Sequence, residues 1–210
     1  MGTDSRYFGT ELIWDELEDN WWRYGNTRID IDSESLDKEG ITYSDLRGTD
    51  ADVLYLSNAW TSRFYWEYTD AEIDAIKNYV VSGHGIIPSG GTLSDNRAPN
   101  NMKLAEVFGM NVSVPGEWGG SKLSDPLQVE DTDHPIFDGI PDDYTLGNPF
   151  VCVNHEVTNG YIKATGEISS FIGGNSYAYL VESRYGGGNS LYFPHIPEDE
   201  LANNLDKTLV

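Results

Sequence analysis

The sequence predicts an α/β fold in a single domain over residues 1–210, with parallel strands at its centre and β-hairpins toward the C-terminus. Three observations carry this. Helical and strand patterns alternate along the chain with no internal repeat. Residues 52–90 read as one strand-helix-strand unit. The tail, "YIKATGEISSFIGG", "SYAYLVESRYGGG" and "NSLYFPHI", alternates strand patterns with glycine breaks. A chain of 210 residues with 39% hydrophobic and 12% aromatic residues can bury one sizeable core, which is the expectation for one domain.

Residues 10–24, "TELIWDELEDNWWRY", place Ile13, Leu17, Trp21 and Tyr24 at helical spacing, with Thr10 as N-cap and Gly25 beyond the end. "TRIDIDSES" reads as a short strand that sets Asp30, Asp32 and Glu34 on one face with no obvious cation partner. Val53 to Leu56 form a compact apolar run suited to a parallel strand. In "YTDAEIDAIKNYVVSGHG", Thr69 and Glu72 make a capping box, Ile73, Ile76 and Val80 form the apolar stripe, and Gly83 supplies the stop. The pattern predicts a helix over about Asp70 to Ser82. It feeds into "GIIPSGG", a buried strand around Ile86 and Ile87, expected to run parallel to the one before the helix. "NNMKLAEVFGM" predicts a helix over roughly Asn101 to Phe108, stopped by Gly109. Residues 111–150, richer in Gly, Pro and Asp, predict irregular chain with short strands. A last helix is expected near Glu198, after Pro197, with Leu201 and Leu205 four apart.

Charge narrows the function classes. Thirty-five acidic residues against 13 basic ones give a formal charge of -22. A surface so negative repels phosphate backbones and anionic lipid, so nucleic acid is not an expected partner. No stretch approaches the roughly 18 apolar residues of a spanning helix, so no membrane insertion is expected. The acidity fits adaptation to high salt, where screening relieves the repulsion between carboxylates. Either the cytoplasm of a salt-adapted cell or an extracellular place within a larger surface protein is consistent with it. The only cysteine, Cys152, excludes an internal disulfide and lies in the alternating strand pattern "PFVCVNHEV", where an inert buried thiol is expected. The start, "MGTDSRYFGTELIW", has none of the basic and apolar regions of a signal peptide.

The order "DVLYLSN", "TDAEIDAIKNYVVSGHGIIPSGG", "NMKLAEVFG", "DHPIFDGI", "NSLYFPHIPE" resembles the class I glutamine amidotransferase-like superfamily, in particular its trehalose-utilisation-like and related branches, over roughly residues 10–205. The resemblance implies a flavodoxin-like three-layer sandwich: a mostly parallel sheet with helices on both faces and the site at the carboxyl ends of the strands. One departure is at the start, where the family has a β-strand and this chain has only a short polar stretch before Thr10. Either that edge is shortened or the chain is excised from a longer protein.

Catalytic members of that family use a cysteine on the sharp turn after a strand, with a late His-Pro-Glu. Here the turn after "GIIP" holds Ser89, and the late strand is followed by His195, Ile196, Pro197 and Glu198, one residue longer than the family pattern. A triad is conceivable in which Glu198 orients His195, His195 takes the proton and Ser89 attacks, which would make the protein a hydrolase or amidase. Against it, the strained elbow commonly reads Gly-x-Ser-x-Gly, and here Ile87 takes the first glycine position and only Gly91 matches. The pattern favours Ser89 as the first residue of a glycine turn leaving the sheet, bonded to nearby backbone.

Two further clusters stand out. "EDTDHPIFDGIPDD" gathers carboxylates including Asp131, Asp133 and Asp138, an oxygen-rich set that could hold calcium, although it does not follow the EF-hand register; a solvated acidic loop is the alternative. "AWTSRFYWEYTD" crowds Trp60, Tyr65 and Trp66 between a strand end and the next helix, and Trp118 lies in a second glycine-rich loop, "PGEWGG". Exposed rings of this kind stack on sugar faces or on a protein partner; buried, they cover a core edge. The missing cysteine and the imperfect elbow favour a non-catalytic binding or accessory domain for a small molecule, carbohydrate or protein over the Ser89, His195, Glu198 hydrolase; no cofactor is expected apart from the calcium that the acidic stretch could hold.

Overall fold

A computed structural model gives the architecture and describes residues 22–24, 26–33, 36, 39–56, 67–88, 92–93, 98–111, 117–120, 128–130, 132–137, 150–153, 157–167 and 176–192. Strands β1 (Trp22–Tyr24) and β2 (Thr27–Ile29) form an antiparallel hairpin. They are followed by α1 (Tyr43–Gly48), β3 (Val53–Leu56), α2 (Asp70–Val81), β4 (Gly85–Pro88) and a 3-10 helix over Pro99–Phe108. Then come β5 (Glu117–Gly120), β6 (Gln128–Val129), a 3-10 turn at Pro135–Phe137, β7 (Phe150–Val153), β8 (Gly160–Glu167), β9 (Ser176–Tyr185) and β10 (Gly188–Tyr192).

The main sheet has six strands in the order β3-β4-β10-β9-β8-β6. The β3–β4 and β4–β10 pairings are parallel, and β10–β9, β9–β8 and β8–β6 are antiparallel. The class is the expected α/β, with the parallel strands β3, β4 and β10 on one side of the sheet and the expected C-terminal hairpins on the other. The three sequence neighbours β8, β9 and β10 meander because their connections are short, whereas β3 reaches β4 through a helix, as a parallel pairing requires.

Helix α2 forms where the capping box predicts it. The Thr69 hydroxyl accepts from the Glu72 amide, and the Glu72 carboxylate accepts from the Thr69 amide at 2.8 Å. Its buried stripe is Ile73, Ile76, Tyr79 and Val80, each at 2% exposure or less, and sequestering each such side chain contributes about 1.5–3 kcal/mol. Gly83, at φ +114°, ends the helix in a conformation that disfavours residues with a Cβ. The core joins this stripe to Ile86 of β4, Val181 of β9, Tyr192 of β10 and the apolar face of the 3-10 helix (Leu104, Val107, Phe108).

Four expectations need correction. Residues 22–24, read as the end of the first helix, form strand β1, because "YGNT" offers Gly25-Asn26 as a two-residue hairpin connection between the paired Tyr24 and Thr27. The strand after it stops at Ile29, so Asp30 and Asp32 do not share a strand face, and Asp30 has a cation partner: Arg28 Nη2 lies 2.6 Å from its carboxylate. Trp118 lies in strand β5, opposite Cys152 of β7, and not in a loop. The 99–108 segment is a 3-10 helix and begins two residues earlier, at Pro99; at 3.0 against 3.6 residues per turn, ten residues of apolar pattern do not separate the two helix types. The helix expected near Glu198 lies outside the described residues.

Candidate functional site

The parallel strands of the sheet, β3, β4 and β10, fix one rim. Leu56 pairs with Pro88 at the ends of β3 and β4, and Ser190 of β10 pairs with Ile86 of β4, which brings Tyr192 alongside Pro88. Three strands therefore finish together. In sequence these ends are followed by the aromatic segment 57–66, by Ser89, Gly90 and Gly91, and by the segment that carries His195, three residues beyond Tyr192. Ser89, His195, Glu198, Trp60, Tyr65 and Trp66 themselves lie outside the described residues.

Their attachment points are firm. Pro88, Thr92 and Leu93 are buried, and the Thr92 hydroxyl donates to the Leu56 carbonyl at 3.1 Å. Only three residues thus connect the end of β4 to a point fastened on the end of β3. On the other side, Tyr68 is 5% exposed and its main chain is held at both polar atoms. Its amide donates to Asn101 Oδ1 at 2.7 Å, and its carbonyl accepts from Asn100 Nδ2 at 2.7 Å. Asn100 also donates its amide to Glu67 and its side chain to Asp70, and Lys103 Nζ approaches Asp70 at 2.6 Å. The sequence reading missed Thr92, Asn100 and Asn101; the available signal was the pair of asparagines directly after Pro99, residues that readily bond to nearby main chain.

The amino end of α2 also points to this rim, and its own carboxylates occupy it. Burial pushes the Glu72 carboxyl up, but hydrogen bonds from the Thr69 amide and hydroxyl and from the amides of Ile41 and Gly40 outweigh burial and leave it below the usual glutamate range. Asp70 is held low by Lys103 and Asn100. With the first turn so filled, chemistry that depends on an added anion there is disfavoured.

Asp133 is exposed, and Asp131 and Asp138 lie outside the described residues. His134 stands 3.6 Å from a Glu182 carboxylate oxygen and edge-on to Phe137. Among the described residues no group of three or more potential ligands could hold a metal ion.

A second polar cluster sits at the opposite ends of the strands. His84 stacks on Tyr79 with ring centroids 4.0 Å apart, its Nδ1 lies 3.0 Å from both the Ser82 hydroxyl and the Tyr79 carbonyl, and its Nε2 lies 3.3 Å from Arg47. The Tyr79 hydroxyl donates to the Ala51 carbonyl. These bonds tie the end of α2 to α1 and to the start of β4, a structural task.

No protein-family model and no curated protein matches the chain. Among solved structures it is similar to a ThuA-like protein from Parabacteroides merdae, at 12% identity over 97% of this chain and 84% of that one, with a TM-score of 0.53. It is also similar to a ThuA-like protein from Bacteroides uniformis, at 12% identity over 78% and 70% of the two chains and a TM-score of 0.49. A cytoplasmic protein from Salmonella typhimurium matches at 20% identity over 77% and 68%, with a TM-score of 0.47. The Parabacteroides match shows the fold: the α/β fold of that ThuA-like protein. Among the described residues, no helix is long and apolar enough to cross a membrane.

Proposed function

We propose that the chain is one binding domain, without catalysis, that takes a carbohydrate-like ligand at the carboxyl-end rim through Trp60, Tyr65 and Trp66, with Trp118 as a further ring. The observation that carries this reading is the fixing of the aromatic segment at both feet: Leu56 by β4 and Thr92, Tyr68 by Asn100 and Asn101. Rings projected from fixed supports lose little entropy when a sugar face stacks on them. The first turn of α2, already filled by carboxylates, favours an uncharged ligand, and the absence of the family's cysteine removes its usual nucleophile. A glycan array followed by tryptophan-fluorescence titration tests the reading. Saturable quenching by a sugar, lost in Trp60→Ala and Trp66→Ala, supports it; no response to any sugar overturns it, and saturable binding of a protein instead would reassign the ligand class.

A hydrolase is the second reading, favoured by one observation: the strands that precede Ser89 and His195 are adjacent and parallel. In that reading Ser89 Oγ attacks an acyl carbon while His195 accepts its proton, and the proton then passes to the departing amine or alcohol, with Glu198 steadying the imidazolium. Covalent labelling by a fluorophosphonate, abolished in Ser89→Ala, would establish the nucleophile. An unlabelled wild-type protein would remove this reading and leave the binding one.

A further inference from the structure

We infer that Asn100 and Asn101 are positioning residues for the rim: as a two-asparagine clamp on the main chain of Tyr68, they set where the aromatic segment 57–66 ends and so couple ligand recognition to the 3-10 helix 99–108. The inference rests on the binding reading for its ligand arm only.

Consecutive side chains satisfy the two polar atoms of a single residue, Asn101 taking the Tyr68 amide and Asn100 giving to its carbonyl, each at 2.7 Å. Asn101 is 0% exposed, and a buried amide side chain is retained where its bonds fix geometry, since an apolar residue there would leave the Tyr68 amide without its acceptor. The helix that carries the pair is itself fixed to the sheet. Met102, Leu104, Ala105, Val107 and Phe108 are buried, and the Ser190 hydroxyl of β10 donates to the Val107 carbonyl at 2.7 Å. One helix therefore spans from the exit of the aromatic segment to β10, the strand whose end leads to His195. The clamp acts on main chain and so leaves the identity of the rings free. That is how a scaffold positions a variable recognition segment.

The test compares Asn100→Ala, Asn101→Ala and Asn101→Asp, which keeps an acceptor oxygen, with Val107→Ala, a cavity variant in the same helix that touches neither Tyr68 polar atom. Amide exchange across residues 57–70 and acrylamide quenching of tryptophan are read on the full chain, with trehalose and maltose as titrated probes. The inference expects at least a tenfold faster exchange at the Tyr68 amide in Asn101→Ala, which removes its acceptor, a smaller rise in Asn100→Ala, which removes only the donor to the carbonyl, partial recovery in Asn101→Asp, and no such local change in Val107→Ala at a similar loss of thermal stability. Equal changes in Val107→Ala, or none in the alanine variants, would overturn it. Because exchange needs no sugar, a failure of both sugars to bind wild-type protein would count against the binding reading alone. If Asn101→Ala does not fold, Asn100→Ala and Asn101→Asp still decide the matter.

Discussion

The Thr92 hydroxyl donates to the Leu56 carbonyl at 3.1 Å, and the two residues are 0% and 4% exposed. The last carbonyl of β3 thus finds its partner four residues beyond the end of β4, which fastens Thr92 to the neighbouring strand.

Replacing Thr92 by valine keeps the volume and removes the donor. The buried Leu56 carbonyl then lacks its partner, which costs about 1–3 kcal/mol. Urea unfolding should show a lower midpoint with an unchanged slope. A midpoint equal to wild type would mean that the carbonyl finds another donor and Thr92 is not fastened as described.

Glu72 makes stability depend on acid. Its carboxyl is held below the ordinary glutamate value of 4.5 in the fold, so the carboxylate stabilises the fold above that pH, and the contribution disappears as pH falls through the depressed folded value. Glu72→Gln should lower stability at pH 7 by about 1–3 kcal/mol, because it breaks the capping box and the tether to Gly40 and Ile41. Below pH 4.5 its stability should fall less steeply than that of wild type. Parallel curves for the two proteins across pH 2–5 would refute this.

Gly188 opens β10 directly beneath the end of α2. A Cβ there would meet the carbonyl oxygens of His84 and Val80, main-chain atoms that cannot swing aside. Gly188→Ala should therefore destabilise toward the upper part of the roughly 1–3 kcal/mol range for overpacking, visible as a drop in melting temperature. By contrast, Gly48→Ala has open space around the new methyl and should leave the melting temperature nearly unchanged.

With 35 acidic and 13 basic residues, self-repulsion opposes folding at low ionic strength. The screening length shrinks from about 10 Å at 0.1 M salt to about 3 Å at 1 M. The melting temperature should rise across that interval, and a level or falling curve would argue against salt adaptation.

Much of the fold was legible in local chemistry. The Thr69–Glu72 box, the Gly83 stop and the apolar doublet Ile86-Ile87 are short-range signals, and α2 and β4 fall where those signals put them. Helix α1 escaped because its capping box, Thr42 with Asp45, uses aspartate where the pattern usually has glutamate or glutamine, and because six residues carry little periodicity. Strand order was not legible: nothing near residue 188 announces that β10 inserts between β4 and β9, a matter of which surfaces fit after collapse. The rim supports were hidden for the same reason, since Asn101 and Tyr68 stand 33 residues apart. The candidate residues Ser89, His195, Glu198, Trp60, Tyr65 and Trp66 were chosen from motif and composition, and the strand ends that bear Ser89 and His195 do lie side by side.

The position of β10 governs how the molecule must be made. Ribosomal synthesis delivers β3, α2 and β4 about a hundred residues before the strand that completes their sheet, so the flank of β4 waits uncovered until Tyr192 has emerged. During that interval the nascent chain offers a ready template for mispairing with its neighbours on the polysome, and its dense negative charge keeps those neighbours apart. The acidity of the finished surface thus also guards the unfinished one.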